Sequence, residues 1–143
     1  MPRLFLVGED MIIGIGTDIV EIDRVAKAIK GEAFVKRVFT PAEAEYCRSR
    51  KAGMTASFAG RFAAKEAIMK ALGTGLREGS LTELEIINDQ LGCPQARLTG
   101  RFGEIAKEKG MISCHISISH SMAYATAQCV MEGQEQGKGE EKS

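Results

Sequence analysis

The stretch from Arg61 to Gly75 constrains this chain more than any other. It reads as an alanine-rich, apolar helix that carries Arg61, Lys65, Glu66 and Lys70 and runs out at Gly73-Thr74-Gly75. A helix apolar on every side is a buried helix. Buried charges are costly unless they are paired, hydrogen-bonded or set against a metal. At 100° per residue, Glu66 and Lys70 share one row and Arg61 and Lys65 share another. Between them Ala63, Ala64, Ala67 and Ala71 permit close approach of a second backbone. A phosphate-bearing anion with a divalent cation would satisfy all four charges at once. The plainer alternative is a helix with two i,i+4 charge contacts on a solvated face. Gly73, Thr74 and Gly75 add free backbone N–H groups and a hydroxyl, which can cradle phosphate oxygens. They do not make a P-loop, because the lysine precedes the glycines.

With 143 residues the chain is long enough for one domain with a real core. Its formal net charge is zero, so no global electrostatic signal points to nucleic acid or membrane. No apolar run approaches the roughly 20 residues of a membrane span, and residues 1–8 make a poor signal peptide. A cytoplasmic protein is expected. Cys47, Cys93, Cys114 and Cys129 are widely spaced with no C-x-x-C, so neither a zinc site nor a redox motif is indicated. Reduced thiols are the expectation.

A compact pattern begins at Met11. Residues 1–10 are expected to be a dispensable leader, residues 11–131 the domain, and the polar stretch 132–143 a disordered tail. Ile12 to Ile15 reads as a short strand with Gly14 and Gly16, and Asp18 falls where that strand gives way to a helix. Ile22, Val25, Ala26 and Ile29 have helical spacing. Phe34, Val35 and Val38 suggest a second short helix. Thr40-Pro41-Ala42-Glu43 is a helix start with a capping box. The long helix covers about Thr55 to Leu72, and residues 73–80 form a loop. Leu84 to Ile87 and Ala96 to Leu98 pair as a hairpin. Phe102, Ile105 and Ala106 mark a helix that ends at Gly110. Cys114 to Ser119 alternates as a strand, and Tyr124 to Met131 returns beside it. The sum is a mixed α+β single domain, helices packed on a mainly antiparallel sheet.

Two groups outside the long helix could carry chemistry. Asp18 is either a helix cap or, with Glu66, a hard all-oxygen site of the kind that suits Mg²⁺ together with substrate phosphates. His115 and His120 lie five apart on a strand and face opposite ways, which argues against a paired-histidine zinc site. His115 is read as structural, whereas His120, at the strand end, suits a ligand contact.

Three blocks carry a family resemblance. They are Gly14-Ile15-Gly16-Thr17-Asp18-Ile19-Val20-Glu21-Ile22 with Arg24; Phe58-Ala59-Gly60-Arg61-Phe62-Ala63-Ala64-Lys65-Glu66-Ala67 through Lys70 and Gly73-Thr74-Gly75; and His115-Ile116-Ser117-Ile118-Ser119-His120-Ser121. In order and spacing the chain resembles the holo-[acyl-carrier-protein] synthases, the small bacterial type of 4′-phosphopantetheinyl transferase, from about Met11 to Val130. The resemblance implies the transferase fold, usually a homotrimer with active sites between subunits, so that Asp18 and Glu66 could meet across an interface. It implies transfer of the 4′-phosphopantetheine arm of coenzyme A to a serine of apo acyl carrier protein, with release of adenosine 3′,5′-bisphosphate, in support of fatty acid biosynthesis. It places Mg²⁺, with Mn²⁺ as the alternative, on Asp18 and Glu66. It sets Arg61, Lys70 and His120 near the coenzyme A phosphates and Gly73, Thr74 and Gly75 in the loop that closes over the nucleotide. Candidate proton acceptors for the serine are Glu66, a water on the metal, and Lys65 if its pKa is depressed. Arg24, with Lys27 beside it on one helical face, is expected to dock the acidic carrier protein.

The leader, Cys93 in its turn and the tail depart from the family pattern, and none touches the three blocks. Two other classes remain open from the residues alone. A Mg²⁺-dependent phosphohydrolase would use water as acceptor, and a coenzyme A-binding subunit would bind without turnover. The five cations from Arg24 to Arg37, against the single acid Glu32, favour a protein acceptor.

Overall fold

Thr40 opens a helix as its sequence predicts. Glu43 N donates to Thr40 Oγ1 at 3.2 Å, and Thr40 N donates to Glu43 Oε1 at 2.9 Å, so two otherwise orphaned amides are satisfied reciprocally. The computed structural model describes residues 10–134; residues 1–9 of the leader and 135–143 of the tail lie outside the described residues. The helices, numbered in chain order, are α1 (Ile22–Ala28), α2 (Glu32–Val38), α3 (Pro41–Ser49), α4 (Met54–Leu72) and α5 (Gly100–Glu108). α4 stops because Gly73 takes a left-handed φ of 75°, where a side chain would be strained. The stretch after it holds two 3-10 turns, Leu76–Glu78 and Leu81–Glu83.

The strands are β1 (Met11–Glu21), β2 (Leu84–Asn88), β3 (Pro94–Leu98), β4 (Met111–His120) and β5 (Tyr124–Gly133). They form one antiparallel sheet in the order β1-β5-β4-β3-β2, so the first strand of the chain pairs with the last and Asp18 sits opposite Ala127. α4 lies across β1, β5 and β4. Ala63, Ala64, Ala67 and Ile68 of α4 are completely buried, as are Ala125 and Cys129 of β5, which places the core between this helix and one face of the sheet. Alternate residues of β1 face the other way, and there Ile15 and Ile19 stay 68% and 61% exposed.

The sequence-based expectations need two corrections. β1 is much longer than Ile12–Ile15, and Asp18 lies inside it rather than capping α1, whose N-cap is Glu21. Pairing with β5 keeps the backbone extended through Asp18, which overrides the local helix signal. β5 runs to Gly133, two residues into the stretch assigned to the tail. Glu132 is kept there by His115 Nε2 at 2.8 Å and by Ser113 Oγ at 3.2 Å. Cys114 and Cys129 are neighbours across β4 and β5, with sulfurs 3.5 Å apart, and both are free thiols, in agreement with the expected reduced state.

Candidate active site

Two glycines create the site. A Cβ on Gly14 would run into the carbonyl of Ala71, and one on Gly16 into the carbonyl of Ala67. Without side chains there, β1 lies directly on α4. The next inward-facing residue of β1, Asp18, then comes up against the charged row of the helix. Lys70 Nζ donates to Asp18 Oδ1 at 3.1 Å and to the carbonyl of Thr17 at 3.0 Å. Glu66 lies one turn before Lys70. Its pKa is raised, first by burial and then by the negative charge of Asp18, with Lys70 opposing. The charge of Asp18 is thus close enough to act on Glu66 within one chain.

This donor set fits a hard divalent cation. Two carboxylates repel each other in a half-buried corner, and one of them already draws in the Lys70 ammonium. Among the described residues there is no cluster of three or more His, Cys, Asp or Glu side chains that could hold a metal. A cation here would rest on Asp18 and Glu66, with ligand oxygens and water completing its shell, the usual arrangement for Mg²⁺. Just beyond the helix end, Thr74 N donates to Met69 O at 3.1 Å. The Thr74 hydroxyl is buried without a hydrogen-bond partner among the described residues. Gly73 and Gly75 have open space where a Cβ would stand. The loop is thus sterically open at both glycines, with the Thr74 hydroxyl left unpaired among the described residues.

The four charges of α4 do not share one partner, contrary to the simplest sequence expectation. Lys65 is completely buried. Its ammonium donates to Glu43 Oε1 at 2.8 Å, to Leu81 O at 3.0 Å and to Leu84 O at 2.8 Å. Burial pushes its pKa down while Glu43 opposes. All three donors of the ammonium are used and no solvent reaches it, so this geometry gives Lys65 no access to a substrate serine.

Arg61 is 6% exposed and stacks over Tyr46, its guanidinium carbon 4.5 Å from the ring centroid. Its Nη atoms donate to Ser57 Oγ and Asn88 Oδ1, both at 3.4 Å, and its Nε is buried with no partner among the described residues. Nine residues separate it from Lys70, about 13 Å along the helix, so within one chain the two cations do not grip a single phosphate. His120 ends β4, exposed, with β5 between it and the strand of Asp18. Its ring has no hydrogen-bond partner among the described residues. His115 pairs with Glu132 at 2.8 Å, in keeping with a structural role.

Arg24 and Lys27 are exposed on α1 and form no ion pair among the described residues. Arg24 edges a groove of about 520 Å³ that is lined by Ile19, Val25, Phe34, Phe62 and Tyr124. Phe34 and Phe62 also line a second pocket of about 410 Å³, which reaches Glu66. Phe34 and Phe62 thus border both the groove beside the basic helix and the pocket that reaches Glu66. Sequence reasoning missed Glu43, Tyr46 and Asn88. Glu43 was visible only as half of a capping box, and nothing in its spacing signals the partner 22 residues away.

Residues 14–129 match the model of the 4′-phosphopantetheinyl transferase superfamily. The chain is 49% identical over 125 residues to a holo-[acyl-carrier-protein] synthase of Trichlorobacter lovleyi, covering 85% of this chain and 98% of that one. It is 48% identical over 120 residues to another from Ruminiclostridium cellulolyticum, covering 82% and 90% respectively. Its fold is similar to the crystal structure of a holo-(acyl-carrier-protein) synthase from Bacillus anthracis in complex with CoA (3′,5′-ADP), with a TM-score of 0.72, 39% identity, and 87% of this chain and 99% of that one covered. The glycine-spaced strand, the charged helix and the loop that follows it lie within the matched region, and the chain belongs to the 4′-phosphopantetheinyl transferase superfamily.

Proposed function

We propose that this chain is a holo-[acyl-carrier-protein] synthase that moves the 4′-phosphopantetheine arm of coenzyme A onto a serine of apo acyl carrier protein and supports fatty acid biosynthesis. One observation carries the reading. A pair of carboxylates, Asp18 and Glu66, stands with Lys70 at the foot of a glycine loop, and Glu66 lines a pocket whose Phe34 and Phe62 also border the groove beside the basic helix. Coenzyme A in the similar Bacillus anthracis protein supports the nucleotide half of this assignment.

The serine oxygen attacks the phosphorus that bears the pantetheine arm. The phosphoanhydride bond to the nucleotide breaks, and adenosine 3′,5′-bisphosphate leaves with the bonding electrons. A divalent cation, Mg²⁺ or Mn²⁺, held by Asp18 and Glu66 supplies charge neutralisation on the pyrophosphate. Lys70 adds a second positive charge there once it is released from Asp18. Burial and Asp18 raise the pKa of Glu66, but a carboxylate that holds a cation is a weakened base, so Glu66 would orient a water that takes the serine proton rather than take it directly. The amides and the spare hydroxyl of Gly73, Thr74 and Gly75 close over phosphate oxygens.

Arg24 and Lys27 dock an acidic face of the carrier protein, and its serine reaches Glu66 from the pocket that Phe34 and Phe62 help to line. The bare apolar face of β1, with Ile15 and Ile19, suits burial against further copies of the chain, as in a homotrimer. Arg61 and His120, remote from the carboxylates within one chain, then contribute to a site completed by a neighbouring subunit. No helix among the described residues is long and apolar enough to cross a membrane, and we place the enzyme in the cytoplasm. Chromatography of the nucleotide product tests the acceptor. Bisphosphate released one-for-one with modified carrier supports transfer; release without modified carrier makes the protein a hydrolase instead.

A further inference from the structure

The buried pair Lys65–Glu43 does more than fill the core. Its bonds converge on four separate pieces of the fold. Besides accepting from Lys65, Glu43 Oε1 accepts from the N-cap amide of Thr40, and Glu43 Oε2 accepts from Ile86 N of β2 at 2.7 Å. Lys65, on α4, grips the carbonyls of Leu81 and Leu84, at the two ends of the second 3-10 turn. That turn ends the strap that begins at the glycine loop after α4. Leu76, Gly79, Ser80 and Leu81 of the strap form one wall of the pocket that reaches Glu66. Glu66 is the residue directly after Lys65. One ammonium thus ties the wall of the pocket to the helix position beside the carboxylate that the pocket serves.

We propose that Lys65 is a positioning residue for the transfer reaction: with Glu43 as its counter-charge it clamps the 76–84 strap to α4 and so holds the wall of the pocket beside Glu66. The inference deepens the transferase reading and rests on it for the reaction it serves. Three acceptors around one ammonium fix the strap in direction as well as distance, which a single apolar contact would not do. Removing only one partner would leave a buried unpaired charge and destabilise the whole fold. Removing both charges at similar volume is tolerated far better, so the paired replacement isolates the clamp from general stability.

The test compares the full-length wild type with K65M/E43Q by amide hydrogen exchange, coenzyme A titration and carrier modification. In the wild type the amides of Glu83 and Leu84, which donate to Ser80 O and Leu81 O, should be protected. In K65M/E43Q exchange in the strap should rise while β4 and β5 keep their protection. Coenzyme A should still bind at full stoichiometry, and kcat for carrier modification should fall about a hundredfold, as expected of a misplaced wall. An unprotected strap in the wild type overturns the clamp without any variant having to fold. Equal acceleration of exchange in the strap, β4 and β5 would reveal a merely structural pair and also overturn it, as would an unchanged strap with unchanged kcat. Failure of the wild type to modify any carrier would instead remove the transferase reading, and the exchange data would still decide whether the clamp exists.

Discussion

Lys70 closes a 3.1 Å ion pair with Asp18, from 52 residues away in sequence and one helical turn beyond Glu66. A divalent cation would compete with the ammonium for Asp18, and a pyrophosphate would compete with Asp18 for the ammonium. With a divalent cation bound, Asp18 would help hold it and Lys70 would be free to face the phosphates. Lys70→Met should therefore weaken coenzyme A binding by about tenfold or more, the worth of one charge-assisted hydrogen bond, while the fold persists because the side chain is exposed. Calorimetric titration with coenzyme A checks this, and unchanged affinity would remove Lys70 from the site.

Gly16→Ala should damage stability and activity together. The added Cβ meets the Ala67 carbonyl, so β1 must lift from α4 and carry Asp18 away from Glu66. Overpacking of this kind costs about 1–3 kcal/mol. Thermal unfolding should show a lowered midpoint, and the surviving folded protein should turn over slowly. A variant as stable and active as wild type would mean that the close approach is not required.

Glu66→Gln should stabilise the protein in chelator near neutral pH. The raised pKa of Glu66 means that the fold favours its protonated form and penalises its charged form. The penalty is present above the raised pKa and disappears as the pH falls through it. The midpoint advantage of E66Q should accordingly shrink on acidification, and transfer by the variant should be lost at every pH. An advantage independent of pH would contradict the repulsion between Glu66 and Asp18.

Arg24→Glu should raise the KM for the carrier protein about tenfold at low salt, because an exposed docking charge acts mainly on encounter. The difference should fade near 1 M salt, where the Debye length is about 3 Å. Steady-state kinetics over a salt series reads this directly. Equal salt slopes for both proteins would place docking elsewhere.

Local chemistry made much of the fold legible. The capping box at Thr40 and the glycine stop at Gly73 fixed helix ends, and alternation from Cys114 to Ser119 fixed which face of β4 is inward. The extended course of β1 through Asp18 was hidden, because it depends on pairing with β5 more than a hundred residues later. The charges of α4 were legible as unusual but not as separate. Helical rows suggested one shared ligand, whereas Glu43 takes Lys65 and Tyr46 takes Arg61 through contacts with no sequence periodicity. The pairing of Asp18 with Glu66 could be suspected from residue types, whereas the close approach of β1 to α4 at Gly14 and Gly16, which brings the charge of Asp18 to bear on Glu66, is displayed only by the packed structure.

The most direct measurement is intact-mass spectrometry of apo acyl carrier protein incubated with coenzyme A and this protein, with Mg²⁺ or with chelator, for wild type, D18A and E66A. The account predicts a gain of one phosphopantetheine arm on the carrier with wild type and Mg²⁺. It predicts no gain in chelator and little or none with either variant. Full modification in chelator, or by E66A, would contradict a metal-dependent transfer centred on these two carboxylates.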